Sequence, residues 1–177
     1  VVEGGTLGKI LYAEGEYNHP VPEEWRNWIR ELRPYEKHWR NYIPRTYYIT
    51  HSLGPLMHVT GAFPKKVTAL PIFEPKSQDM LFGSAVGDAA AIITCLNDDN
   101  SVFRVTGCSA FGWEENSYRF CGIKGQIESV RDRTENILLS YNHWQVPEGR
   151  TQCQLYQPSW HNANEKLIDL AGHGGSD

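Results

Sequence analysis

Positive charge is in short supply here: 17 Lys and Arg stand against 21 Asp and Glu, for a net charge of −4. Neutralising phosphates takes a concentrated cationic surface, so no nucleic-acid partner is expected. Long apolar runs are also missing. The longest, AAAIITCL at 89–96, falls well short of the ~20 residues that cross a bilayer, and no basic-then-apolar segment opens the chain. No membrane is expected as a partner, and a cytoplasmic location is the expectation. Cysteine is scarce, and Cys95, Cys108, Cys121 and Cys153 stand far apart with no C-x-x-C pair, which leaves no zinc or dithiol signature. Free, mostly buried thiols are expected, because a chain of 177 residues buries roughly 70% of its unfolded surface without needing staples. There is no internal repeat, no low-complexity segment and no Gly-x-Gly-x-x-Gly turn between a strand and a helix. Nothing in this chain is therefore expected to bind a nucleotide cofactor.

What the sequence does have is turns and β-formers, with 16 glycines and 10 prolines among 40% hydrophobic residues. Apolar and β-branched segments at 9–17, 67–73, 88–96, 101–108, 118–123, 126–130, 137–141 and 152–156 predict about eight strands. NDDN at 97–100 and KG at 124–125 mark tight turns, so neighbours in sequence pair mostly antiparallel. Pro71 demotes the second of these strands toward an edge or a bulge. In 89–96 neither alternate set of side chains is polar, which predicts a strand covered on both faces. Helices are few. Residues 22–34 open with proline and acids that suit a helix start, and 50–60 reads as a short helix with Leu53, Leu56, Met57 and Thr60 on one face. The fold class expected is α+β: an open, predominantly antiparallel sheet with a few helices on one face. Two or three helices cannot clothe both sides, so the open face is expected to meet another subunit or domain.

Two segments carry candidate chemistry. In RTYYITHSLGP at 45–55, Thr50 or Ser52 can cap a helix, with Pro55 inside its first turn. His51 then sits where the helix dipole disfavours imidazolium and keeps the ring able to accept a proton. Its partner is Tyr47 if the turn extends backward and Tyr48 if it does not. The second segment is aromatic and basic: Trp25, Trp28, Tyr35, Trp39 and Tyr42 lie among Arg26, Arg30, Arg33, Lys37, Arg40 and Arg45. Rings that cover sugar faces and guanidinium groups that bond hydroxyls would make a sugar wall of it. Trp25, Trp28 and Leu32 equally fit the inward face of an ordinary helix. For Trp39 and Arg40, nearer the histidine, substrate contact is the preferred reading. His173 and Asp177, four apart, suit substrate contact, loop structure or a metal; two ligands do not make a metal site.

HWRNYIPRTYYITHSLGPLMHVTG at 38–61 and AGHGGSD at 171–177 resemble the C-terminal, substrate-side domain of the Gfo/Idh/MocA oxidoreductase family. The likeness is nearest to the branch containing NAD-dependent glycoside hydrolases such as α-N-acetylgalactosaminidase. That branch has a Tyr-x-Thr-His-x-Leu-Gly-Pro motif, matched by Tyr48, Thr50, His51, Leu53, Gly54 and Pro55. It also has a His-Gly-Gly-x-Asp motif, matched by His173, Gly174, Gly175 and Asp177. GTLGKILYAEGEY and YRFCGIKGQIES resemble its strand signatures.

The resemblance implies one substrate-binding and oligomerisation domain over 1–177, following a Rossmann domain that this chain lacks, with NAD or NADP held mainly there. It implies a sugar or polyol substrate, hydride transfer at a ring hydroxyl, His51 as acid/base, Tyr48 and Tyr47 beside it, and self-association through the open sheet face. This chain alone is expected to be inactive. Where the wider family has Asp four residues before the histidine this sequence has Tyr47, which leans toward glycosidase-like chemistry. The alternative is a non-catalytic carbohydrate-binding or dimerisation module on the same sheet.

Overall fold

The computed structural model describes residues 1–20, 46–73, 88–108, 111–132 and 136–157. The expected helix at 22–34 lies outside them, as do Trp39, Arg40, His173 and Asp177. Eight strands form one sheet: β1 (Ile10–Asn18), β2 (Pro64–Phe73), β3 (Asp88–Asn97), β4 (Val102–Cys108), β5 (Glu115–Gly122), β6 (Gly125–Ser129), β7 (Ile137–Tyr141) and β8 (Cys153–Tyr156). Their order is β2-β3-β4-β1-β5-β6-β7-β8. All neighbours are antiparallel except β1 and β4, which run parallel. The first strand thus lies between the β2-β3-β4 meander and the β5-to-β8 meander and makes them one sheet. Of the edge or bulge that Pro71 implied for it, β2 is the edge. At the β3–β4 turn Asn100 adopts φ 67°, a conformation asparagine tolerates better than most residues.

One face of the sheet carries the core. Ala13, Ile93, Cys95, Phe103, Val105, Phe120 and Leu139 are buried there with Leu56 of α1 (Thr50–Thr60). Leu53 and Met57 pack against this cluster, as the spacing of the helix predicts. The helix is capped differently from expectation. Ile49 is its N-cap, with no side-chain cap, and the Ser52 hydroxyl donates back to the Ile49 carbonyl at 3.2 Å instead of accepting an N–H. Pro55 stands inside the helix rather than in its first turn. Gly61 ends the helix in the left-handed region at φ 72°, its N–H bonded to the Met57 carbonyl, the usual use of glycine there.

The opposite face is open, and it differs from the two-sided cover expected for β3. Ile92 is 39% and Leu96 37% exposed, so among the described residues the outer face of that strand keeps partial contact with water. Register places Thr68, Thr94, Arg104, Glu14, Arg119, Glu128, Leu138 and Leu155 in one row across all eight strands. At its centre the Glu14 carboxylate bridges Arg104 at 3.2 Å and Arg119 at 3.0 Å, and the Tyr12 hydroxyl donates to it as well. All four cysteines are free: Cys95 and Cys108 are buried as expected, Cys121 is half-buried, and Cys153 is exposed.

Candidate active site

The segment that enters α1 is tied down before the helix begins. Asp88, at the start of β3, is 2% exposed, and its carboxylate accepts the Thr46 N–H at 3.1 Å. Tyr48 then comes beside His51, with the phenol oxygen 3.3 Å from Nε2 and the rings edge to face at 5.7 Å. Tyr47 faces water, 78% exposed. The helix starts at Thr50, so the backward extension that would have paired Tyr47 with His51 does not occur.

Proline at position 55 removes the N–H that would bond the His51 carbonyl four residues earlier. The Tyr118 hydroxyl on β5 donates to that carbonyl at 2.7 Å, and burial pushes the Tyr118 phenol above its ordinary pKa. The sheet approaches closely enough for this because β1 has glycine at the crossing. A Cβ on Gly15 would sit 2.1 Å from the Ser52 carbonyl oxygen. Sequence requirements on β1, α1 and β5 thus meet at one helical turn.

The second wall of the site comes from β1. The Tyr17 ring stacks on His51 with centroids 4.6 Å apart and planes at 21°, and stacks on His19 at 5.8 Å. His19 Nδ1 lies 2.8 Å from Glu114 Oε1. Two histidines and two tyrosines therefore converge at the C-terminal end of β1, with one histidine already facing a carboxylate. Tyr17 and His19 were not singled out in the sequence. Alternation along β1 could have placed Tyr17 on the core face with Ala13 and Gly15, but not which helix would cross it. Such a cluster can accept a proton at the half-buried His51 imidazole and relay it through the Tyr48 hydroxyl. A group of three or more potential metal ligands does not occur among the described residues, and none of their helices is long and apolar enough to cross a membrane.

No protein-family model and no curated protein matches this sequence. Solved structures match in fold. An aldose-aldose oxidoreductase from Caulobacter crescentus, complexed with glycerol, aligns over 91% of this chain and 43% of its own, at 16% identity and a TM-score of 0.62. Levoglucosan dehydrogenase in complex with NADH and levoglucosan aligns over 89% of this chain and 42% of its own, at 16% identity and a TM-score of 0.63. The super-repressor mutant of Gal80p from Saccharomyces cerevisiae aligns over 92% and 43%, at 14% identity and a TM-score of 0.59. At such identities the likeness establishes the fold alone, and the chain spans less than half the length of these structures. That fold is the one expected, an open and mostly antiparallel sheet, here of eight strands with a helix on its core face.

Proposed function

We propose that this chain is the substrate-facing domain of a nicotinamide-dependent sugar or polyol oxidoreductase, with His51 as the acid/base. The observation that carries this reading is the His51–Tyr48–Tyr17 cluster. It puts an imidazole at a helix N-terminus, beside a phenol at 3.3 Å and against a ring at 4.6 Å. The helix dipole disfavours imidazolium there, so His51 takes the proton from a ring hydroxyl as that carbon is oxidised, and Tyr48 orients the hydroxyl and passes the proton outward. Tyr17 holds the imidazole plane. NAD or NADP, when bound in the complete protein, supplies the hydride acceptor. No glycine-rich phosphate turn occurs in this sequence, and the cofactor belongs to a preceding domain.

Solvent-facing Tyr47 stands at the edge of this cluster, where it would meet substrate or the preceding domain. Trp39 and Arg40, from their ring and guanidinium chemistry near the histidine segment, and His173 and Asp177, from the motif resemblance, are the further substrate contacts in this reading. Redox glycosidase chemistry is its variant. A transient ketone acidifies the neighbouring C–H, the leaving group departs by elimination, water adds, and the hydride returns. The open sheet face, with Leu70, Ile92 and Leu96 exposed on its β2–β3 side, is proposed as a self-association surface.

The test is turnover by the full-length protein on aldoses, polyols and aryl glycosides with NAD and NADP. His51→Ala is expected to lower kcat by about two to four orders of magnitude, and an unchanged rate would reduce His51 to a helix-start residue. The second reading is a non-catalytic carbohydrate-binding or dimerisation module, favoured by the repressor that shares this fold at 14% identity. It predicts sugar binding without cofactor reduction on any member of the panel.

A further inference from the structure

Tyr17 has a second imidazole against it besides that of His51. Side chains two apart along an extended chain share a face, so Gly15, Tyr17 and His19, the residue just past the end of β1, follow one another in a row. The helix α1 crosses that row at Gly15, where the Ser52 carbonyl lies. His51 therefore reaches Tyr17 from the Gly15 side, and His19 from the far side. The ring planes agree with this order. His51 lies at 21° to the Tyr17 ring with centroids 4.6 Å apart, and His19 at 26° and 5.8 Å. One phenol ring thus stands between two nearly parallel imidazoles. Tyr48 meets both inner rings edge to face, Tyr17 at 6.2 Å and His51 at 5.7 Å.

The outer imidazole is fixed from two directions. The His19 N–H donates to the Cys108 carbonyl at 2.9 Å, which ties it to the last residue of β4. Its Nδ1 lies 2.8 Å from Glu114 Oε1. A carboxylate only accepts, so Nδ1 carries the proton and the ring is held in one orientation. With 29% and 65% of the two side chains exposed, this pair adds little to stability. What it adds is direction, and the stack passes that direction inward. Each ring contact is worth only about 0.5–1.5 kcal/mol, but a displacement of about 1 Å at the reacting groups can cost a hundredfold in rate.

We propose that His19 is a positioning residue for the reaction at His51, acting through Tyr17, with Glu114 holding the His19 ring in plane. The assignment rests on His51 being the acid/base. It makes Glu114, His19, Tyr17 and His51 one row that runs from a solvent-facing carboxylate to the base.

The test uses full-length protein and two readouts. With NAD or NADP and the most active member of the aldose, polyol and aryl glycoside panel, His19→Ala should lower kcat about tenfold to a hundredfold. KM should change less than about threefold, because the lost interaction does not bind substrate. His19→Phe keeps a ring against Tyr17 and should recover part of the loss. Glu114→Ala, at an exposed position, should lower kcat about threefold to tenfold with the melting temperature unchanged. The second readout is the His51 imidazole proton signals in NMR spectra without substrate. They should move in His19→Ala and return toward their places in His19→Phe. The proposal is overturned if kcat survives in His19→Ala, if the loss falls on KM alone, or if Glu114→Ala behaves as the parent. It is equally overturned if His19→Phe restores neither kcat nor the ring signals. A panel that gives no turnover sinks the oxidoreductase reading instead, and the ring signals then decide: unmoved in His19→Ala, they overturn the positioning as well.

Discussion

His51 does two things in this structure, one with its ring and one with its backbone. The ring meets Tyr48 and Tyr17. The carbonyl, deprived of a helical donor by Pro55, takes the Tyr118 hydroxyl instead. Tyr118→Phe leaves that carbonyl underbonded and should lower stability by about 1–3 kcal/mol, read from urea unfolding at constant slope. The same phenol gives a pH signature. Its folded-state pKa is raised by burial, so its contribution is fully present below the unfolded value of about 10 and fades as pH rises through the folded one. Stability should therefore fall above about pH 10, less steeply in Tyr118→Phe than in the parent. At this scale the sequence narrowed the partner of His51 to Tyr47 or Tyr48, and the helix start at Thr50 decided for Tyr48. The sequence did not show Tyr17, His19, Asp88 or Tyr118, because their contacts with this segment cross the sheet and have no local pattern.

For α1 the decisive partner is not another side chain but a missing one. Gly15 lets the helix backbone lie directly on β1, and this sets how close His51 comes to Tyr17. A methyl group there has no room, so Gly15→Ala should cost about 1–3 kcal/mol in thermal unfolding. It should also displace the His51 ring signals in NMR spectra, whereas unchanged ring signals would mean that the approach is not what positions the histidine. The helix offers a compensating experiment too. Pro55→Ala returns an N–H that can reach the His51 carbonyl, so in a Tyr118→Phe background it should recover part of the lost stability. A strictly additive double variant would mean that the two residues do not share that acceptor. The limits of α1 were legible from its apolar spacing. Its cap was not, because Thr50 and Ser52 suit that role by type and only backbone geometry decides which residue takes it.

Across the whole molecule the sheet has two unlike faces. The row through Arg104, Glu14, Arg119 and Glu128 alternates in charge, with Ile92, Leu96 and Leu70 exposed toward one edge and Leu155 toward the other. Half-exposed ion pairs of this kind add little stability. If the face joins two copies, full-length protein should sediment as an oligomer at about 10–100 µM, the range in which interfaces of modest affinity assemble. Ile92→Asp should then shift it toward monomer without loss of secondary structure, whereas a monomeric parent would remove the self-association reading. All eight strands were legible in the sequence because each carries β-formers between turn residues, and sheet segments declare themselves locally. The place of β1 was not legible. It pairs with β4 and β5, about 90 and 105 residues away in the register, and such pairing is chosen by the closure of the whole sheet. The sequence by itself determined which segments are strands, where α1 lies and that His51 sits at its mouth, because period, turn residues and helix-end chemistry act over a few neighbours. Tertiary structure alone decided that β1 is central and that α1 crosses it at Gly15, so that Tyr17, Tyr48 and Tyr118 meet around His51. Those contacts exist only once strands distant in sequence have been brought side by side.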